Sequence, residues 1–184
     1  MTINAGYVQY EVAFGNWEAN AEAFRTILPQ VPDADLLVLP ELAFSGYDFR
    51  DKAELDALAE PFADGPTRKL LTEISAATKT TLVAGYAEST PEGAYNSAMT
   101  VCPDGTAYNY RKIHLFNREQ DVFLPGDAPP SVFETPVGRL GMMICFDWFF
   151  PETARCLALA GAQIIVHPSN LVLPWCQQAM FARS

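Results

Sequence analysis

The 184-residue sequence predicts an α/β fold, and three features of its patterning carry that reading. Short apolar runs of strand length alternate with stretches of helical periodicity along most of the chain. Cap and turn residues separate them, with Pro at helix starts and Gly at helix ends. A Pro103-Asp104-Gly105 turn between two strand-like runs adds a hairpin, so the sheet is mixed rather than purely parallel.

Residues 3–9 alternate apolar and polar and read as the first strand. Asn16 is placed to cap a helix running to Leu28, which Pro29 and Pro32 end. Asp35-Leu36-Leu37-Val38-Leu39 is a continuous run of the kind buried inside a layered sheet, with Pro40-Glu41 at its C-terminal end. A helix over 66–78 leads into a strand over 81–87. Residues 95–102 and 106–111 flank the Pro-Asp-Gly turn, and Lys112 comes just past the second of these strands. Residues 137–144 give another strand, 151–160 a helix stopped by Gly161, and 163–167 a last strand. Segments 48–65 and 117–130 read as looser loops, placed to border a pocket.

With 49% hydrophobic and 18% charged residues the chain has the material for one sizeable core, and residues 1–184 read as one domain. A net charge of -10 with only 12 Lys and Arg excludes nucleic acid as a partner. No apolar run reaches bilayer length, and residues 1–4 lead into the first strand without a signal-like segment. No membrane association and a cytoplasmic location are therefore expected. Cys102, Cys145, Cys156 and Cys176 form no C-x-x-C pair and read as free thiols. His114 and His167 do not stand with cysteines at ligand spacing, so both read as structural, with no metal and no cofactor expected.

Cys145 follows Leu140-Gly141-Met142-Met143-Ile144 and precedes Phe146-Asp147-Trp148-Phe149-Phe150-Pro151, which places it at a strand-to-helix turn. A sulfur there projects from a rigid strand end. The N–H groups that follow, Phe146 first, are placed to stabilise a low-pKa thiolate and a developing oxyanion. Taken alone, such a cysteine is more often a small buried hydrophobe. Glu41, emerging from an apolar strand, reads as a desolvated carboxylate that takes a thiol proton and later activates water; a surface glutamate fits the position equally well. Lys112 reads as a buried cation that steadies both anions, against the commoner solvated lysine. No spacing rule brings the three together.

Three blocks do so by resemblance. Leu39-Pro40-Glu41-Leu42 with Ser45-Gly46-Tyr47, then Tyr110-Arg111-Lys112-Ile113-His114-Leu115-Phe116, then Ile144-Cys145-Phe146-Asp147-Trp148 with Phe150-Pro151-Glu152, resemble the signature blocks of the nitrilase superfamily of carbon–nitrogen hydrolases. The resemblance implies a four-layer αββα sandwich in which Glu41, Lys112 and Cys145 form a catalytic triad working through a thioester or thioimidate. It implies that Glu119 stands beside the triad and positions lysine and substrate. Tyr47, Asp147, Trp148 and Asn170 fall in blocks that border the pocket in similar proteins, and Phe146 is the expected oxyanion donor. The family's polypeptide continues past the point corresponding to Ser184, so a sandwich incomplete at its C-terminus is expected, with exposed strand edges. A homodimer or higher homo-oligomer is implied for the complete protein.

The blocks around Lys112 and Asp147 are most similar to those of small aliphatic amidases and nitrilases, which makes amide hydrolysis to acid and ammonia the expected reaction. Nitrile, N-carbamoyl and ω-amide substrates use the same triad and stay open. So does a catalytically silent piece that serves only as a binding or assembly module.

Overall fold

A computed structural model describes residues 2–31 and 33–183 of the chain. In chain order the elements are β1 (Ala5–Tyr7), α1 (Trp17–Ile27), β2 (Leu36–Val38), α2 (Lys52–Leu58), α3 (Pro66–Thr78), β3 (Thr81–Thr90), β4 (Gly93–Val101) and β5 (Ala107–Arg111). They continue with α4 (Glu119–Val122), β6 (Val132–Thr135), β7 (Gly138–Met142), α5 (Pro151–Leu159), β8 (Ile164–Val166) and α6 (Cys176–Phe181). Strands β1 to β5 form one sheet in sequence order, and β6 to β8 form a second. The first sheet is mixed, parallel across β1–β2–β3 and antiparallel across β3–β4–β5.

Strand alternation decides the layers, because successive side chains point to opposite faces. Leu37, Leu39, Leu82, Ala84, Met99 and Val101 pack against Phe24 of α1 and Leu70, Leu71 and Ile74 of α3. Their strand neighbours Leu36, Val83 and Ala98 pack instead against Leu140, Met142 and Val166 of the second sheet. On the far side of that sheet α5 lies close over β7, since a Cβ at Gly141 would sit 2.9 Å from Leu157. The order helices, sheet, sheet, helix is the αββα sandwich. Among the described residues no helix is long and apolar enough to cross a membrane.

Several boundaries differ from the sequence reading, each for a local reason. Asn16 caps α1 as expected, its side chain accepting from the Ala19 N–H at 3.1 Å, and a 3-10 turn over Leu28–Gln30 ends it. Pro32, the second expected stop, lies outside the described residues. The first strand shrinks to three residues, with Tyr7 77% exposed on an edge. β3 runs on to Thr90 because its polar end, Glu88-Ser89-Thr90, pairs with β4. Segment 48–65 contains α2, capped by Asp51 onto the Glu54 N–H at 2.9 Å, and segment 117–130 contains α4. Both helices are too short for a periodicity of 3.6 to stand out. β6 was not expected and pairs antiparallel with β7.

One polar cluster sits on the helix side of the first sheet, where alternation sends Glu88, Ser97, Asn109 and Arg111. Arg111 meets both Glu88 oxygens, through Nε at 3.0 Å and Nη2 at 2.8 Å, while Ser97 Oγ and Asn109 Nδ2 donate to Oε2 at 2.6 and 2.9 Å. This bidentate pair pins the last residue of β5. Arg111→Met leaves Glu88 buried without its cation, and the expected loss is about 2 kcal/mol, below the fully buried case because 26% of the Arg111 side chain stays in water. Urea unfolding checks this, with Glu88→Gln in the same chain recovering part of the loss.

Candidate active site

Glu41 leaves the end of β2 through a backbone that stays bonded to β3, by Gly85 N–H to Pro40 O at 3.0 Å and Ala43 N–H to Gly85 O at 2.9 Å. The contact is so close that only glycine fits: a Cβ at Gly85 would lie 2.6 Å from Glu41 Cα and 2.7 Å from Leu42 N. Leu42 itself is left-handed, at φ 50°. The carboxylate that results is 2% exposed.

Lys112 follows Arg111, so the alternation that sends Arg111 to Glu88 turns Lys112 into the sandwich. Its N–H donates to Asn96 O and its carbonyl accepts from Gly126 N–H, both at 2.8 Å. The ammonium is fully buried, 2.7 Å from Glu41 Oε1 and 2.8 Å from Glu119 Oε1. Glu119 opens α4 after a left-handed Asn117 and accepts from Tyr47 OH at 2.6 Å and from Phe116 N–H at 2.8 Å.

Cys145 arrives from the second sheet. It sits at φ 36°, a strained value for a residue with a Cβ, and opens a 3-10 turn over Cys145–Phe149. Its N–H donates to Pro168 O at 2.9 Å, and its carbonyl accepts from His167 Nε2 at 2.8 Å. The thiol reaches Asn170 O at 3.6 Å, and the Asn170 N–H donates to Glu41 Oε2 at 3.1 Å. Thus Glu41, Lys112, Glu119 and Cys145 meet as a buried cluster, with Tyr47 half-buried beside it and Asn170 exposed at its edge. The Phe146 N–H has no partner among the described residues, and the Phe146 ring packs at 4.9 Å from Phe116 and 5.2 Å from Phe149.

Asp147 and Trp148, expected to border the pocket, are both buried and engaged with protein groups. Asp147 is fully buried, and its oxygens accept from Ile144 N–H at 2.9 Å, Tyr110 OH at 2.8 Å, and His114 N–H and Nδ1–H at 3.1 and 2.7 Å. It caps the turn that carries Cys145. Trp148 packs with Met143, Leu157 and Cys176.

Burial dominates the electrostatics. It pushes the Glu41 carboxyl above the usual range; Lys112 pulls it back and Glu119 pushes it up further. For Lys112 burial works toward the neutral amine, but the charges of Glu41 and Glu119 outweigh it and hold the ammonium. The Cys145 thiol is raised, first by burial and then by Glu41, against the pull of Lys112. The low-pKa thiolate expected from the sequence is therefore not the resting state. A short 3-10 turn supplies little dipole, and the surrounding carboxylates oppose a third anion. Burial lowers the His167 imidazole, leaving it neutral to donate Nε2–H to the Cys145 carbonyl.

A cleft of about 740 Å³ reaches Glu41, Tyr47, His167 and Asn170 from the side of β1. A smaller pocket of about 60 Å³ lies beyond Glu119, between Leu42, Tyr47, Phe49, Phe116 and Phe123. Segments 48–65 and 117–130 both contribute to its wall.

A family model of carbon-nitrogen hydrolases matches residues 5–184. The chain belongs to the carbon-nitrogen hydrolase family. A nitrilase of Pyrococcus abyssi is 47% identical over 151 residues, which is 82% of this chain and 58% of that protein. An (R)-stereoselective amidase of a Pseudomonas species is 40% identical over 143 residues, 78% of this chain and 51% of that one. The chain thus spans little more than half the length of these relatives. The crystal structure of a carbon-nitrogen hydrolase from Helicobacter pylori G27 superposes with a TM-score of 0.85 at 28% identity, over 98% of this chain and 66% of that one.

In this member of the family, sequence reasoning missed Asn96, Gly85 and Asp147's capping role. Gly85 carried a faint signal, as an isolated glycine inside a strand run where another backbone approaches. Gly85→Ala is expected to move the Glu41 backbone, lowering the melting temperature by roughly 5 °C or more at about 1–3 kcal/mol of overpacking. Thermal unfolding followed by circular dichroism checks it.

Proposed function

We propose that the protein is a thiol hydrolase of non-peptide carbon–nitrogen bonds, converting small aliphatic amides to acid and ammonia through a Cys145 thioester. One observation carries this: Lys112 stands between Glu41 and Glu119, and that pair of carboxylates reaches the Cys145 site through Glu41 and Asn170. No motif spacing predicts that meeting.

In the first step Cys145 Sγ attacks the amide carbon while its proton passes to Glu41, and the C=O electron pair moves onto oxygen. The Phe146 N–H, unpartnered at the turn, and the Lys112 ammonium face that oxyanion. The intermediate collapses as the C–N bond breaks; nitrogen takes the Glu41 proton and leaves as ammonia. Water then attacks the thioester, giving its proton to Glu41, which returns it to the departing sulfur. Glu119 holds the lysine. Because the thiol rests protonated, the base must act during attack.

The cleft of about 740 Å³ that reaches Glu41 and Asn170 gives a small molecule a way to the site. The relatives named a nitrilase and an amidase support the bond type. Nitriles, N-carbamoyl compounds and ω-amides remain the second reading, through the same residues. In a homo-oligomer of the complete protein, exposed apolar side chains such as Leu159 and Trp175, 73% and 60% exposed, are the ones we expect to be covered.

Ammonia release from a panel of acetamide, propionamide, butyramide, the matching nitriles and N-carbamoyl amines tests the function. We expect turnover of the short amides and its loss, by 10³-fold or more on the order of nucleophile removal, in Cys145→Ala; turnover equal in that variant sinks the mechanism. No turnover of any compound by the unmodified chain leaves the assembly-module reading. Alkylation of Cys145 by iodoacetamide separates general-base activation from a standing thiolate. Glu41→Gln removes a charge that holds the thiol protonated, so a thiolate mechanism speeds up; with Glu41 as base the rate falls, by about 10²-fold.

A further inference from the structure

We propose that Asn96 is a positioning residue whose neutral carboxamide clamps Glu41 and Glu119 together around Lys112, and so sets how readily Glu41 takes a proton. The inference rests on the reading of Glu41 as the base for Cys145.

Four contacts close a ring. Lys112 Nζ donates to Glu41 Oε1 at 2.7 Å and to Glu119 Oε1 at 2.8 Å. Asn96 Nδ2 donates to the same two oxygens, at 2.9 and 3.2 Å. Two nitrogens share two oxygens, and only one nitrogen is charged. With the thiol neutral, the cluster keeps a net charge of about -1, which opposes further anions and keeps Glu41 eager for a proton. A second cation in the Asn96 position would cancel that charge and weaken Glu41 as a base. A carboxamide supplies the two N–H groups without it.

The orientation of the amide follows from its partners. Carboxylate oxygens only accept, so the NH2 faces them. Oδ1 is then left buried with no partner among the described residues, at a cost of about 1–3 kcal/mol. The side chain tolerates that orphan because both carboxylates hold its nitrogen. Its backbone is equally fixed: Asn96 is fully buried, pairs with Ala87 across the β3–β4 ladder, and accepts the Lys112 N–H at 2.8 Å. One residue therefore holds the lysine by its main chain and both carboxylates by its side chain.

The other ionisable side chains around this ring are Tyr47 on Glu119, Cys145 and His167 from the second sheet, and Asp147 within the turn after Cys145. The pair Glu88 and Arg111 lies on the opposite face of the first sheet.

Asn96→Asp keeps the shape and exchanges the neutral donor for a third carboxyl. Losing a donor to the charged form and gaining a like charge both favour protonated Glu41, so the limb below which activity fades moves to higher pH. The readout is the iodoacetamide rate of Cys145 against pH, which needs no substrate. We expect the acid limb to rise by about one pH unit or more, the size of one hydrogen bond to a charged group. A variant that melts earlier and reacts slower at every pH, with its limb unmoved, assigns Asn96 a packing role and overturns the proposal. If the variant does not fold, ¹⁵N NMR of the unmodified protein decides: the Asn96 Nδ2 protons are expected to titrate with the alkylation limb, and shifts that ignore pH overturn it. An acid limb that survives in Glu41→Gln sinks both this inference and the reading of Glu41 as base; a limb that depends on Glu41 but not on Asn96 sinks this one alone.

Discussion

A lysine ammonium sealed from water must have its charge answered by protein groups, and Lys112 is fully buried with two carboxylate oxygens within 2.8 Å. Taking such an ion out of water costs several kcal/mol, which two carboxylates and their donors offset only if the geometry holds. Much of the local architecture supplies that geometry. Gly85 lets the Glu41 backbone press on β3, Gly126 lets a loop close on Arg111 and Lys112, and Tyr47 and Phe116 satisfy the remaining lone pairs of Glu119. The cluster is a constraint on folding before it is a device for chemistry.

The same alternation rule that sorts the core into layers also sorts charge. Arg111 and Lys112 are neighbours in sequence, yet one reaches Glu88 on the helix side and the other Glu41 between the sheets. A one-residue slip of β5 would exchange the two cations and strand both sets of carboxylates. The bidentate Glu88 pair therefore guards the register on which the inner cluster depends. Strain gathers near the same place, with Leu42, Asn117 and Cys145 all left-handed beside or within the cluster, at roughly 1–3 kcal/mol each.

Much of this was legible in the residues. α3 matches its expected span because Pro66 marks its start and its apolar positions recur at helical spacing. Glu41, Lys112 and Cys145 were marked by strand ends and by the three blocks around them. What the sequence hid was the partner set. Asn96 sits mid-strand in Tyr95-Asn96-Ser97-Ala98 and reads as one more alternating position, since its importance lies entirely in what two distant loops bring to it. Asp147 and Trp148 were marked only as lying in blocks that border the pocket; the bonds of Asp147 to Tyr110 and His114 depend on β5 and the loop after it and leave no signal in its own block. The raised thiol was hidden for a related reason, because desolvation depends on the other sheet and not on the turn.

The cluster is divided between two sheets. Glu41, Asn96, Lys112 and Glu119 belong to the first or to its loops, whereas Cys145 and Asn170 come from the second and meet Glu41 only across the interface packed by Leu36, Val83, Ala98, Leu140 and Met142. Either half alone is incomplete: one is an ion cluster without the thiol, the other a thiol without the carboxylates. Assembly of the cluster thus waits on the docking of the two layers. A newly made chain that has formed only one of the sheets holds either the ion cluster or the cysteine, and the two come together only when the layers close.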